Sequence, residues 1–83
     1  MKTGGNESNE SGDAVISQAT IYFKLGRHFL NDGSYELAIN ALTKAIELDP
    51  DNALAYDLRG IAQGYKFEYD AALASFFARL IAV

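Results

Sequence analysis

Few residues of this sequence are typed and spaced for chemistry. The single histidine, His28, stands between Arg27 and Phe29. A catalytic histidine needs a nucleophile or an orienting acid within hydrogen-bond reach. The chain has no cysteine, and no motif sets a serine opposite His28, so this residue reads as a packing or surface side chain and no enzyme is expected. Asp49-Pro50-Asp51-Asn52 opens like a calcium loop. Leu54 and Gly60 occupy the places where that loop needs glycine and glutamate. Gly4-Gly5 and the Gly60/Gly64 pair lack the strand–turn–helix setting of a phosphate cradle. No metal and no cofactor are therefore expected. Lys24 and Arg27 lie three residues apart, on one face of a helix, and a cationic pair of that kind suits an acidic side chain or a terminal carboxylate. Asp57 is an internal competitor for the same pair.

The elements that must position these groups belong to one small domain, since the chain has 83 residues. Its net charge is −4, and half of that falls in the first thirteen residues, where Lys2 stands against Glu7, Glu10 and Asp13. The remainder is only mildly acidic and gives no electrostatic reason to seek nucleic acid or anionic lipid. No run of about 18 apolar residues is present to span a membrane, and the N-terminus lacks the apolar core of a secretory signal. Asn6-Glu7-Ser8 and Asn9-Glu10-Ser11 match the glycosylation acceptor pattern, but without that signal they read as a solvated tail. A cytoplasmic protein is expected.

Residues 1–16 are polar and glycine-rich and are expected to stay disordered, because they bury too little to offset their ordering entropy. Order is expected to begin between Asp13 and Ser17. A first helix carries Ala19, Tyr22, Phe23, Gly26, Phe29 and Leu30 at helical spacing. Gly26 inside it implies a close neighbour. Asn31-Asp32-Gly33-Ser34 is a turn, with Gly33 free to take positive φ and Ser34 placed as a cap. A second helix over about Tyr35 to Leu48 ends at Asp49-Pro50, and Asn52 caps a third, Ala53 to Tyr65. A fourth starts at Tyr69. Tyr22, Gly26, Tyr35 and Ala38 return 34 residues later as Tyr56, Gly60, Tyr69 and Ala72. The spacing divides residues 17–83 into two repeats, 19–52 and 53–83. Phe67 and Glu68 replace Gly33 and Ser34 in the second, weakening its turn.

Tyr22, Leu25-Gly26, Phe29, Tyr35, Ala38, Leu42, Ala45 and Pro50 make the first unit resemble the tetratricopeptide repeat. Tyr56, Gly60, Tyr69, Ala72 and Phe76 carry the resemblance into the second. There Arg59, Gln63, Phe67 and Arg79 depart from the pattern, and the closing proline does not appear. The resemblance implies an all-α fold of about four helices, in antiparallel hairpins stacked as a short right-handed solenoid. It implies a non-enzymatic module that binds a protein or peptide in a concave groove lined by the first and third helices. Phe23, Lys24, Arg27 and Asn31 would line it on one side and Asp57, Leu58, Ile61 and Tyr65 on the other. A chaperone-tail clamp of the family would need lysine and asparagine where Phe23, Arg27 and Leu58 stand, so that function is not implied.

The fourth helix has more apolar residues than one buried face accommodates. Leu73, Phe76, Leu80 and Val83 fall near one stripe, which Phe77 and Ile81 widen. Family members usually shield their last hairpin with a polar-faced helix, and two repeats fall short of the about three that such arrays need. Leu73, Phe76, Phe77, Leu80 and Ile81 are therefore expected to pair with another copy. The alternative is an end piece of a longer solenoid without a complete site.

Overall fold

The structure, a computed structural model, describes residues 3–82. It consists of α1 (Thr3–Asn31), α2 (Tyr35–Leu48), α3 (Ala53–Tyr65) and α4 (Tyr69–Ala82), with no strand among the described residues. Helix α1 packs on α2, α3 on α4, α2 on α3, and α1 reaches α3. Two helical hairpins are thus laid side by side, as the repeat spacing predicts.

The short helices start and stop where turn chemistry dictates. Gly33 takes φ 80, which lets Ser34 N–H reach the Phe29 carbonyl at 2.9 Å and Gly33 N–H the Leu30 carbonyl at 3.1 Å. This paired closure satisfies the last carbonyls of α1. Ser34 stands in the N-cap position of α2, yet its side chain makes no capping bond; its backbone, at φ −88 and ψ 72, is not in the extended geometry that aims a capping oxygen at the first turn. Asn52 does cap α3, its Oδ1 accepting from Ala55 N–H at 3.1 Å.

The second turn repeats the first with a costlier residue. Glu68 N–H donates to the Gln63 carbonyl at 2.9 Å and Phe67 N–H to the Gly64 carbonyl at 3.0 Å. Phe67 therefore adopts φ 64, the left-handed region, without being glycine. That conformation costs an L-residue about 1–2 kcal/mol. The ring offsets little of it, being 75% exposed with only an edge contact to Tyr69. Phe67→Gly should raise stability by about 1 kcal/mol, after allowing for the extra chain entropy of glycine. A urea midpoint that falls instead would show that the Phe67–Tyr69 contact outweighs the backbone strain.

Helix α1 differs most from expectation. Its backbone is helical from Thr3 rather than from the Asp13–Ser17 region, through most of the segment expected to be a disordered tail; Met1 and Lys2 lie outside the described residues. No proline interrupts the segment, and once a packed turn has nucleated a helix each further residue adds a hydrogen bond at little extra cost. Packing itself begins at Ala19, the first buried residue of those whose side chains are described.

Small residues let the helices approach. Leu42 lies fully buried against Gly26, where an added Cβ would fall 2.5 Å from its Cγ and 3.3 Å from its backbone nitrogen. One repeat later, a Cβ on Gly60 would meet the Phe76 ring at 2.6 Å. Ala38, Ala45, Ala55 and Ala62 are buried as well. Leu42, Ile46 and Ala55 form the centre of the core, with Phe23, Tyr56 and Leu58 packed against it.

Candidate interaction groove

The contact between α1 and α3 creates the face on which most of the expected groove residues sit. Phe23 and Leu58 are half-buried and form its floor, because their inner edges rest on Leu42, Ile46 and Ala55. Lys24, Arg27 and Asn31 are exposed along α1, and Ile61 and Tyr65 along α3. The Arg27 guanidinium lies 5.7 Å from the centroid of the Phe23 ring, within cation–π range. The Tyr65 ring stacks on Tyr35 of α2, with centroids 4.7 Å apart and planes 7° from parallel. Both contacts hold a groove side chain in one orientation before any ligand arrives. No enclosed cavity is found among the described residues; the face is open and shallow.

Asp57 does not join the groove as a partner for the cations. Its Oδ1 lies 3.7 Å from Arg79 Nε of α4, because Asp57 sits on the side of α3 turned toward the fourth helix. Arg79 stands where the first repeat has Ala45, and a long cation there draws the carboxylate away. Among the described residues neither Lys24 nor Arg27 forms an ion pair, so the groove presents two positive charges beside an apolar strip. His28 pairs with Asp32 at 3.3 Å on the exposed surface, which leaves it no part in the groove.

Behind the groove lies a polar joint that sequence reasoning missed. Arg59 of α3 donates from Nε to Ser75 Oγ at 3.0 Å and from Nη1 to Thr43 Oγ1 at 3.2 Å. Ser75 Oγ in turn donates to Gln63 Oε1 at 2.7 Å. Three helices are thereby fixed in register through one guanidinium, which also lies 5.6 Å from the Tyr56 ring centroid. Partial burial pulls the Arg59 pKa below its ordinary value, and the neighbouring Tyr56 opposes the shift. At the rim of the same joint Lys66 binds Glu36, a hydrogen bond that raises the Lys66 pKa. A signal for the network was present: Arg59 and Gln63, four residues apart on α3, both replace apolar residues of the first repeat, and polar substitutions on one buried face call for a shared partner.

The apolar residues of α4 divide. Phe76 turns inward, half-buried over Gly60, and so leaves the outward set in which the pattern had placed it. Its position is four residues from Ala72 and one from Ser75, both buried. Leu73, Phe77, Leu80 and Ile81 turn outward, 66%, 70%, 63% and 83% exposed. Val83 lies outside the described residues.

Among the described residues no group of three His, Asp or Glu side chains is placed to hold a metal, and no helix is long and apolar enough to cross a membrane. Comparison with known families matches residues 26–64 to the family described as TPR repeat. No curated protein matches the chain. The matched segment runs from Gly26, against which Leu42 packs, through α2 and nearly all of α3, so it takes in the helix pair that carries the core and the α2 and α3 members of the polar joint. With Gly26, Leu42 and Asn52 in the packing and capping roles just described, this segment matches the tetratricopeptide repeat family, whose helical hairpins are protein-interaction modules.

Proposed function

We propose that this chain is a non-enzymatic binding module that holds an extended peptide or a partner's helix on the α1–α3 face. The observation that carries the reading is the pair of cations, Lys24 and Arg27, which form no ion pair among the described residues, beside the apolar strip of Leu58, Ile61 and Tyr65. A ligand that places a carboxylate on the cations and apolar side chains on the strip would satisfy both halves. Charge-assisted hydrogen bonds to Lys24 and Arg27 would set its register, and burial of the strip would supply most of the affinity. Nucleic acid does not suit the strip, and a mildly acidic chain would not be drawn to an anionic membrane surface. The same reading places the protein in the cytoplasm and has it associate with a second copy through the outward residues of α4. An end piece of a longer solenoid is the second reading, favoured by that same uncovered face.

Binding of fluorescent peptides that pair an acidic residue with apolar neighbours tests the groove. Lys24→Glu/Arg27→Glu should weaken binding about tenfold or more, the loss of roughly 1.4 kcal/mol or more. Equal binding by wild type and double variant would remove this face from the function. Both residues are exposed, so the substitutions leave the core intact.

A further inference from the structure

The outward face of α4 can be judged against a contact that this chain already makes. Residues of α2 that meet α3 have counterparts 34 positions later on α4, and residues of α3 that meet α2 have counterparts 34 positions earlier on α1. If a second copy extended the array by setting its α1 on this α4, it would have to rebuild the α2–α3 joint with those counterparts.

The charged and stacked contacts that specify the joint are lost in that arrangement. Lys66 bound to Glu36 becomes Asp32 against Asp70, acid facing acid. The stacked pair Tyr35–Tyr65 becomes Tyr69 against Asn31. The Arg59–Thr43 hydrogen bond becomes Leu25 against Phe77, an apolar contact that does not itself oppose stacking but no longer fixes register. Ala55 and Ala62, fully buried where the helices approach, become Ile21 and His28. Like charge and excess volume at the same contact are what exclude a wrong partner. End-to-end stacking, which would grow into an open filament, is therefore disfavoured.

The same face complements itself. Leu73, Phe77 and Ile81 form an i, i+4 row of large apolar side chains, and the adjoining row is Asp70, Ala74 and Ala78, with two small residues. A large ridge beside a small-residue groove is what two identical helices need to interlock, each ridge lying over the other's groove. Phe77 is central to the face along the helix and around it. With Phe77 able to bury about 150–250 Å² when fully covered, and Leu73, Leu80 and Ile81 each at least 63% exposed, the outward set offers several hundred Å² per copy. That approaches the roughly 800 Å² per partner of a standard interface.

We infer that the partner of α4 is the α4 of a second copy, in a two-fold contact that closes at a dimer. The inference rests on the self-association reading above and adds its symmetry and its stopping point. Sedimentation velocity of the full chain from micromolar to millimolar concentration should show a monomer–dimer equilibrium and nothing larger. Ala74→Glu, which fills the small-residue groove with charge but spares the large ridge, should weaken the dimer about tenfold or more. Ile21→Glu, on the α1 face that end-to-end stacking would use, should leave it unchanged. Both sites are exposed, and far-UV circular dichroism checks that each variant is folded. Species beyond a dimer, or association abolished by Ile21→Glu, would overturn the two-fold contact while leaving self-association in place. A dimer indifferent to Ala74→Glu would move the contact off this face. A monomer at every concentration would overturn the self-association reading itself.

Discussion

Leu42→Ala should lower the unfolding free energy by about 2–5 kcal/mol, the range for removing a buried leucine and leaving a cavity. A domain of this size is expected to have only about 4–12 kcal/mol in all. The upper part of the range for Leu42 is favoured because, among the described residues, it is the only large apolar side chain that is fully buried; the other fully buried side chain of note is Ser75. Its neighbours Phe23, Tyr56 and Leu58 already lean outward, so few side chains are free to collapse into the space. Gly26→Ala alone should cost about 1–3 kcal/mol as an overpacking change, since its Cβ would fall 2.5 Å and 2.6 Å from Leu42 side-chain atoms. The two changes together should cost no more than Leu42→Ala by itself. The atoms that the new Cβ would strike are then gone, and alanine is the better helix former by about 1 kcal/mol. What remains is the Leu42 backbone nitrogen at 3.3 Å, which a small helix shift accommodates. Urea denaturation of the four proteins closes this double-mutant cycle. Simple additivity would show that Gly26 is kept for a reason other than the approach of Leu42.

Ser75→Ala should be the next most damaging small change, at about 1–3 kcal/mol. Ser75 is 1% exposed and its hydroxyl does two jobs, accepting from Arg59 Nε and donating to Gln63 Oε1. Alanine leaves both partners in a site where water cannot readily replace it. The concerted replacement Arg59→Met/Gln63→Met/Ser75→Ala should recover most of the loss, because an apolar set of similar volume leaves only the Thr43 hydroxyl without its partner, and Thr43 is half-buried, within reach of water. It should also loosen the register of α2, α3 and α4, since no directional bond then ties Thr43 and Ser75 to α3. Thermal unfolding reads the first effect, as a fall of about 4–8 °C in Tm per kcal/mol for a domain of this size. Peptide binding by the groove reads the second, because α3 supplies the apolar strip. A triple variant as unstable as Ser75→Ala would show that packing around the hydroxyl, and not its hydrogen bonds, is what the site requires.

Much of this architecture was legible in the residues. The stop at Asp49-Pro50, the cap at Asn52 and the positive φ at Gly33 are local matters, decided by a proline ring, a side-chain amide and a missing Cβ; all three stand where expected. Helices α2 and α3 begin and end where expected, because their punctuation is of this local kind. Ser34 and Phe67 show the limit. Each has the right position in a turn, yet Ser34 does not cap and Phe67 accepts a strained φ. Backbone hydrogen bonds between residues three and five apart set both geometries, whichever side chain occupies the site.

The groove shows a different limit. Helical spacing puts Lys24 and Arg27 on one face, but it says nothing of what lies opposite. Asp57 was one possible answer and Arg79 takes it away. The residues that depart from the repeat, Arg59, Gln63 and Arg79, looked like decay of the pattern. In the folded chain they make polar contacts between helices.

The sequence by itself determined that the chain forms helical hairpins, where three of its four helices start and that small residues bring those helices close. Period, punctuation and residue size are properties of a single strand of chain, and they survive without knowledge of any neighbour. Only the tertiary structure decided that Phe76 faces inward while Phe77 faces outward, that Asp57 belongs to Arg79, and that Arg59 joins three helices. Those outcomes depend on the angle at which one helix crosses another. That angle is the sum of many side-chain contacts, and no stretch of sequence encodes it alone.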